Sequence, residues 1–466
     1  MALNDDSSRS SAATPELRLH RGWLLALLLT LPLAASLAGF AAVQRGAPMW
    51  PEALIELPVR GQIVATDGTV LADGPAEARQ YPHGSLAAPL LGFTGAVQPD
   101  GRYGLEGLEY TLDARLQTGE SVVLTLDPTL QAAAEAHLAD AVLATEAENG
   151  AAVIIEVGSG RVLAAASYPT FDANAWRSAG RDDMQNRAFL QHYEPGSIMK
   201  PFVVAGLLES GRIGPDEIVD APMHLRVGNK TFRDVAQHDP RLSVADVLRY
   251  SSNSGTILLA QRFESAELHA WLAAFGFGQE MPLRSTFTRS GLLNHWDGWV
   301  PQDHASISIG QAVATTALQM AAAYTIIAND GVYVAPRLVE DEVVPAPHRV
   351  LSPEVAMTVR HMMHYTVEAS SLRASRVPGV SMAGKTGTAD VFDVMAGAYL
   401  PGDYTVSFAG MLPAERPEVV MVVYVQKPRT STSSTLVAAP LFRAIGSEVV
   451  AHWGIAPGER IDARAE

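Results

Sequence analysis

The sequence contains no cysteine, which excludes disulfide scaffolds, thiolate metal sites and cysteine nucleophiles. Basic residues are also few, because 34 lysines and arginines stand against 50 acidic residues and the formal net charge is −16. A chain this acidic lacks the positive field that nucleic-acid binders use, so we expect no nucleic-acid partner. The 466 residues are 48% hydrophobic, a length and composition typical of two or three folded domains.

Lysine is scarce even within the basic residues. Only four positions carry it, namely Lys200, Lys230, Lys385 and Lys427, and the other basic residues are arginine. Arginine stays charged, whereas a buried lysine can lose its proton and act as a base. A lysine in this chain can therefore reflect a chemical role, or it can have arisen by chance. The location of each lysine decides between these two explanations.

One apolar run is long enough to cross a bilayer. Residues 23–43 carry no charge, and arginines precede them, which favours a cytoplasmic N-terminus. We predict a transmembrane helix over residues 22–43 and a disordered cytoplasmic tail over residues 1–21. A cleaved signal peptide is the alternative, since Ser36–Ala38 offers a possible cleavage site. The apolar run continues past that site, which favours the uncleaved anchor.

Residues 44–145 are predicted to form a small β-rich module. Their short apolar runs are separated by glycine and proline, and few long helical patterns occur. Ser121–Leu126 is typical of a strand. Asp127 and Pro128 then supply an N-cap and a first-turn proline for a helix that continues to about Ala144.

Residues 146–455 are predicted to form one α+β domain with an antiparallel sheet, followed by a tail over residues 456–466. Strand pairs lie at both ends of this domain, and alanine-rich helical stretches lie between and after them. The predicted elements are a hairpin over Gly150–Ala166, strands over Thr405–Met411 and Val419–Val425, and helices over Thr316–Asn329 and Leu436–Trp453.

The first candidate catalytic motif is Ser-x-x-Lys. Pro201 is costly inside a helix, so a helix here must begin near Ser197. Ser197 and Lys200 then lie one turn apart at a helix N-terminus, where developing negative charge is stabilised. A neutral lysine there could take the serine proton. Taken alone, the pattern more often marks an ordinary helix start.

Two further polar clusters are weak signals when each is considered alone. Ser251 and Asn253 lie between apolar segments, which is typical of a helix cap or a turn. The second cluster lies over Lys385–Thr388. Its glycine would let a ligand backbone approach a strand edge, and its lysine would offer positive charge to a carboxylate, although such a stretch is most often a loop. Its residues are Lys385, Thr386, Gly387 and Thr388.

In this order, Ser-x-x-Lys, Ser-x-Asn and Lys-Thr-Gly resemble the motif set of active-site-serine penicillin-binding proteins and serine β-lactamases. Arg60–Ile63, Tyr168–Asp172 and Tyr193–Ser197 are similar to class B penicillin-binding proteins. The resemblance implies a membrane anchor, a short pedestal over residues 44–145 and a transpeptidase domain of the penicillin-binding and β-lactamase type. Tyr404–Gly410 looks more like the division-specific, FtsI-type members than the elongation-type ones.

The resemblance implies that the chain cross-links peptidoglycan outside the bacterial cytoplasmic membrane, by acyl transfer from a D-Ala-D-Ala stem peptide. Ser197 resembles the nucleophile, Lys200 the base, and Ser251 with Asn253 the groups that relay the leaving proton and orient the substrate. The four residues from Lys385 to Thr388 resemble the strand edge that holds the terminal carboxylate. β-Lactam binding, an FtsW-like membrane glycosyltransferase and divisome partners are implied as well, and no cofactor is.

Several alternatives remain open. The same chemistry could serve cell elongation, and a β-lactamase, a β-lactam sensor or a non-catalytic scaffold could share the fold. His361 and His364 have metal-like spacing, but a third distant ligand is not evident, so we expect no metal. Trp296 and Trp299 could line a substrate groove, although packing is the simpler interpretation.

Overall fold

The computed structural model describes residues 59–393 and 396–456, apart from the side chains of residues 374 and 375. The predicted tail and anchor over residues 1–43 lie outside the described residues. Within the described ranges, every helix is too short or too polar to traverse a bilayer.

Short helices and strands dominate the N-terminal part, and longer ones the C-terminal part. The strands are β1 (Ile63–Val64), β2 (Val70–Ala72), β3 (Val122–Val123), β4 (Asn149–Glu156), β5 (Val162–Tyr168), β6 (Ile218–Asp220), β7 (His224–Val227), β8 (Lys230–Arg233), β9 (Arg241–Ser243), β10 (Val332–Tyr333), β11 (His348–Arg349), β12 (Ala383–Asp393), β13 (Ala398–Leu412) and β14 (Val419–Gln426). The α-helices are α1 (Ala88–Leu91), α2 (Gly107–Thr111), α3 (Asp113–Gln117), α4 (Pro128–Ala144), α5 (Arg187–Leu190), α6 (Lys200–Glu209), α7 (Val244–Arg249), α8 (Asn253–Ala260), α9 (Ser265–Ala274), α10 (Pro301–Ser308), α11 (Ala317–Ala328), α12 (Pro353–Glu368) and α13 (Ala438–Trp453).

The main sheet joins strands from both ends of the segment that begins at β4. Its five strands are ordered β12-β13-β14-β4-β5, and each neighbouring pair is antiparallel. β14 pairs with β4, so that Val422 lies opposite Val153 although the two are far apart in sequence. The predicted α+β fold with an antiparallel sheet that closes across the sequence is confirmed.

Both faces of this sheet are buried. Successive side chains of a strand point to opposite faces, and β4 divides its residues accordingly. Ala152 and Ile154 pack into the cluster that contains residues of α4 and α13, whereas Val153 and Ile155 pack into the cluster that contains residues of α11. The sheet is therefore the middle layer between helices on either side.

The segment before Asp127 is mixed, which corrects the prediction of a β-rich module. Its three strands have two or three residues each, and helices of four or five residues lie between them. The strand predicted over Ser121–Leu126 is reduced to Val122–Val123. The apolar run Ala88–Leu91 forms a single helical turn with Pro89 near its start. A run this short has no periodicity that separates helix from strand.

A buried ion network holds this segment together. Arg60 donates to Glu109 Oε2 through Nε and Nη2, at 2.9 and 2.6 Å, and to Asp113 Oδ1 at 2.9 Å. Arg79 donates to the other Glu109 oxygen at 2.6 Å. All four side chains are at most 2% exposed. Each charge is paired, which is the condition under which buried charges are tolerated.

Candidate active site

Ser197 lies on a tight turn that leads into α6. The turn is a 3-10 helix over Gly196–Met199, and Pro201 occupies the first turn of α6, where its missing N–H costs nothing. The structure thus confirms the predicted helix start. On the core side, the Tyr324 hydroxyl of α11 donates to the Ile198 carbonyl oxygen at 2.8 Å and fixes the turn from below.

Two glycines let β12 approach this turn closely. A Cβ at Gly387 would lie 2.6 Å from the Pro195 carbonyl oxygen, and a Cβ at Gly196 would lie 2.6 Å from the Thr388 carbonyl oxygen. Gly196 also has a φ of +57°, which glycine adopts at little cost. Any side chain at either position would separate the strand from the turn. The glycines therefore place β12 beside Ser197.

All three sequence motifs meet at Ser251. Lys200 Nζ donates to the Ser251 carbonyl oxygen at 2.5 Å and to Asn253 Oδ1 at 2.8 Å. The Ser251 hydroxyl lies 3.4 Å from Lys200 Nζ and accepts a hydrogen bond from Lys385 Nζ at 2.9 Å. Ser251 has a φ of +56°, a conformation that is strained for serine, and strained residues of this kind are enriched at active sites.

Burial disfavours the protonated, positively charged form of both lysines. Desolvation lowers the pKa of Lys385 to about 7. The pKa of Lys200 is held well below its usual value, chiefly by burial and further by the positive charge of Lys385, while Asp234 opposes the shift. A lysine with a depressed pKa can be neutral near pH 7, and a neutral amine can accept a proton.

Ser197 lines the cavity that adjoins these lysines, yet neither lysine hydrogen-bonds its hydroxyl. Catalytic hydrogen bonds are often long in free enzymes and shorten in the reacting complex. Proton transfer from Ser197 to Lys200 would therefore need the two groups to move closer together once substrate is bound.

Asp234 anchors the loop of Ser251 from behind, a role that the sequence did not reveal. Its carboxylate accepts hydrogen bonds from the hydroxyls of Ser252 and Ser254 and from the backbone N–H groups of Asn253 and Ser254. His238 Nε2 lies 2.8 Å away. Burial raises the pKa of Asp234, but these hydrogen bonds outweigh it, so the pKa is lowered overall. Asp234 follows β8 at a position with no local pattern to mark it.

The cavity has a volume of about 590 Å³ and is rich in hydroxyl groups. Strand β12 and the segment before α13 supply threonines and serines, among them Thr432 and Ser433. Trp296 and Trp299 are not part of the lining, and the indole N–H of Trp299 donates to the Asn294 carbonyl oxygen. Among the eight predicted site residues, the lining contains Ser197, Ser251, Asn253, Thr386 and Thr388, whereas Lys200, Gly387 and Lys385 lie behind it.

Comparison with known proteins identifies the family. The penicillin binding protein transpeptidase domain matches residues 150–447, which contain all three motifs and the whole five-stranded sheet except the first residue of β4. The chain belongs to the penicillin-binding protein transpeptidases.

Relatives in this family come from several bacteria. The chain is 33% identical, over 79% of its length, to the penicillin-binding protein PbpB of Mycolicibacterium smegmatis. It is 31% identical to the probable peptidoglycan D,D-transpeptidase PenA of Neisseria gonorrhoeae and to the peptidoglycan D,D-transpeptidase FtsI of Escherichia coli, over 83% and 81% of its length. It spans 64% of the length of PbpB, 71% of PenA and 68% of FtsI.

Solved structures of penicillin-binding proteins share the fold. Penicillin binding protein 3 from Mycobacterium tuberculosis, complexed with ampicillin, is 31% identical and superimposes with a TM-score of 0.79. The match covers 87% of this chain and 97% of that chain. The likeness therefore includes the segment before Asp127 as well as the transpeptidase domain.

Proposed function

We propose that this penicillin-binding protein is a serine D,D-transpeptidase that cross-links peptidoglycan stem peptides. The observation that carries the proposal is the meeting of Lys200 and Lys385 at Ser251, with Asn253 also bonded to Lys200. A scaffold has no need of two buried lysines beside a serine, because burying them costs free energy. The names of PenA and FtsI describe the same activity for those relatives.

In the proposed acylation step, Ser197 Oγ attacks the carbonyl carbon of the penultimate D-alanine. Lys200 accepts the serine proton, and the backbone N–H groups of Ser197 and Thr388 stabilise the oxyanion, an effect worth about 3 kcal/mol per donor. The bond to the terminal D-alanine then breaks. The departing amine takes a proton that is relayed from Lys200 through the Ser251 hydroxyl, and an ester on Ser197 remains.

In the second step, an amine on a neighbouring peptidoglycan strand attacks the ester carbonyl carbon. The amine loses a proton through the same lysine and serine groups, the cross-link forms, and the Ser197 hydroxyl is restored. Asn253 orients the peptide, while Lys385, Thr386, Gly387 and Thr388 form the edge along which it lies. A β-lactam would acylate Ser197 in place of the peptide.

We further propose where the enzyme acts. Residues 22–43 would anchor the chain in the bacterial cytoplasmic membrane, with the pedestal (residues 44–145) and the transpeptidase domain (residues 146–455) outside it. The FtsI-like stretch Tyr404–Gly410 supports a role in septal wall synthesis. An FtsW-like glycosyltransferase and divisome proteins are the expected partners.

Covalent labelling of the full chain tests the proposed chemistry. Fluorescent penicillin should label the protein stably, and Ser197→Ala should abolish the label, whereas Ser433→Ala, which alters another serine of the cavity wall, should retain it. A thioester of D-Ala should be consumed by the wild-type chain and by Ser433→Ala, but not by Ser197→Ala. A folded protein that reacts with neither compound would refute the proposal. Rapid loss of the label would indicate a β-lactamase instead.

A further inference from the structure

Arg249 is the one charged side chain among the described residues that line the cavity. The lysines of the sequence motifs are more deeply placed, since Lys200 and Lys385 are at most 1% exposed. The hydrogen bonds of the two lysine amines go to Ser251, Asn253 and Thr386. Among the described residues, Arg249 is therefore the positive charge that the lining itself presents to a carboxylate.

The Arg249 guanidinium is held in a fixed position. Its Nε donates to the Ala369 carbonyl oxygen at 3.0 Å. Its Nη1 lies 3.2 Å from Asp246 Oδ1 and 3.4 Å from the Tyr365 hydroxyl. The rings of Tyr250 and Tyr365 lie beside it, with centroids 4.5 and 5.6 Å from the guanidinium carbon. A group that is already ordered loses little entropy when it binds a ligand.

One edge of this guanidinium remains available. Arginine has five N–H donors, and the hydrogen bonds of Arg249 to described residues use Nε and Nη1 and leave Nη2. Asp246 offsets part of the positive charge, but its second oxygen already accepts from the Ser243 hydroxyl. The Nη2 group can therefore donate to a carboxylate without breaking the contacts that hold the side chain.

We propose that Arg249 is a specificity-determining residue that binds a carboxylate of the donor peptide. The proposal rests on the transpeptidase function proposed above and adds an arginine to the groups that recognise the donor. The carboxylate could be that of the terminal D-alanine, or one on the residue that precedes the two D-alanines. Both present the same chemistry to the guanidinium, so the experiment must separate them.

Four thioester donors distinguish these sources in the full chain. The leaving group of each donor either carries a carboxylate or lacks one. The residue before the reacting D-alanine carries either a carboxylate or the corresponding amide. Arg249→Gln should lower kcat/KM about tenfold for donors that carry the recognised carboxylate, mainly through KM, and should leave donors without it unchanged. Arg249→Lys should lose less, since charge is kept but the planar fork is lost. Arg226→Gln, at an exposed arginine outside the lining, is the control.

The pattern across the four donors decides the outcome. An effect that follows the leaving group assigns Arg249 to the terminal carboxylate, and one that follows the preceding residue assigns it to the stem. An equal loss with all four donors, or no loss with any, would overturn the proposal. A wild-type chain that reacts with no donor refutes the transpeptidase function and this assignment with it.

Salt dependence gives a readout that needs no variant. For the wild-type chain, raising NaCl from about 0.05 to about 0.5 M should lower kcat/KM for donors with the recognised carboxylate more than for neutral donors, because salt screens ion pairs at a partly open site. An identical salt response of charged and neutral donors would contradict an ion pair with Arg249.

Discussion

Lys385 Nζ donates a hydrogen bond of 2.9 Å to the hydroxyl of Ser251. The same hydroxyl lies 3.4 Å from Lys200 Nζ, so one serine separates two buried amines. Two like charges this close disfavour each other, and the protonation of each lysine depends on that of its neighbour. In the mechanism proposed above, this pair would link substrate binding at β12 to Lys200, the base proposed for Ser197.

Lys385→Met should shift the pH dependence of acylation. Lys385 has a pKa of about 7, so its positive charge is present mainly below that pH, where it helps to keep the pKa of Lys200 low. Removing the charge should raise the pKa of Lys200. In the proposed mechanism Lys200 can act as a base only when it is neutral, so the acid limb of the rate profile should move to higher pH. The measurement is the penicillin acylation rate from about pH 5.5 to 9, a range that brackets the pKa of a tuned catalytic lysine.

The control for this shift is Lys427→Met, which removes a lysine that pairs with Glu148 and does not line the cavity. Its acid limb should coincide with that of the wild-type chain. The position of the limb, rather than the height of the plateau, is the informative quantity, since Lys385 also contributes to binding. An unshifted limb in Lys385→Met would show that the two lysines titrate independently.

Asp234→Asn should slow acylation by about ten- to a hundredfold, by loosening the loop that holds Ser251. The substitution removes the negative charge that accepts hydrogen bonds from Ser252, Asn253 and Ser254, and each charged hydrogen bond is worth about 1.5–3 kcal/mol. The unfolding temperature should fall as well. Rates would be followed with penicillin, and stability by thermal unfolding of the same preparations.

The matched control is Asp220→Asn, since Asp220 is 88% exposed and pairs with Arg241 only at the surface. That variant should match the wild-type chain in both measurements. If Asp234→Asn loses stability but acylates at the normal rate, the role of Asp234 is only to stabilise the fold, and it does not position Ser251.

The sequence predicted the elements whose patterns are local. Continuous apolar runs beside turn residues marked the strands that became β4 and β14, and the proline at position 201 marked the start of α6. Asp234 could not be predicted, because Ser252, Asn253 and Ser254, which its carboxylate holds, lie 18 to 20 residues away and come near it only when β8 and α8 pack. Arg249 was missed for a similar reason, since Tyr365 and Ala369, which hold its guanidinium, lie more than 100 residues away in the sequence.

Gly387→Ala should nearly abolish acylation. The new methyl group would lie 2.6 Å from the Pro195 carbonyl oxygen and 2.4 Å from the Ser407 hydroxyl oxygen, so β12 must move away from the Ser197 turn. Overpacking of this kind costs about 1–3 kcal/mol of stability. Displacing reacting groups by about 1 Å costs on the order of a hundredfold in rate. Acylation and unfolding would both be measured.

Gly214→Ala is the corresponding control, because a Cβ there meets no atom within 4 Å and the residue does not have a positive φ. It should be neutral in both assays. Normal acylation by a folded Gly387→Ala variant would mean that β12 and the turn can separate without harm, which contradicts the close approach as a catalytic requirement.

The buried network around Arg60 yields a prediction about stability alone. Arg60→Met leaves Asp113 and one oxygen of Glu109 buried without their partner, and breaking a buried ion pair from one side costs about 3–5 kcal/mol. Arg241→Met, at an ion pair whose side chains are 74% and 88% exposed, should cost about 0–1 kcal/mol. Unfolding in urea measures both. The folded fraction of Arg60→Met should acylate at the wild-type rate, because the network lies outside the cavity. A slower rate per folded molecule would show instead that the pedestal controls the position of the catalytic groups.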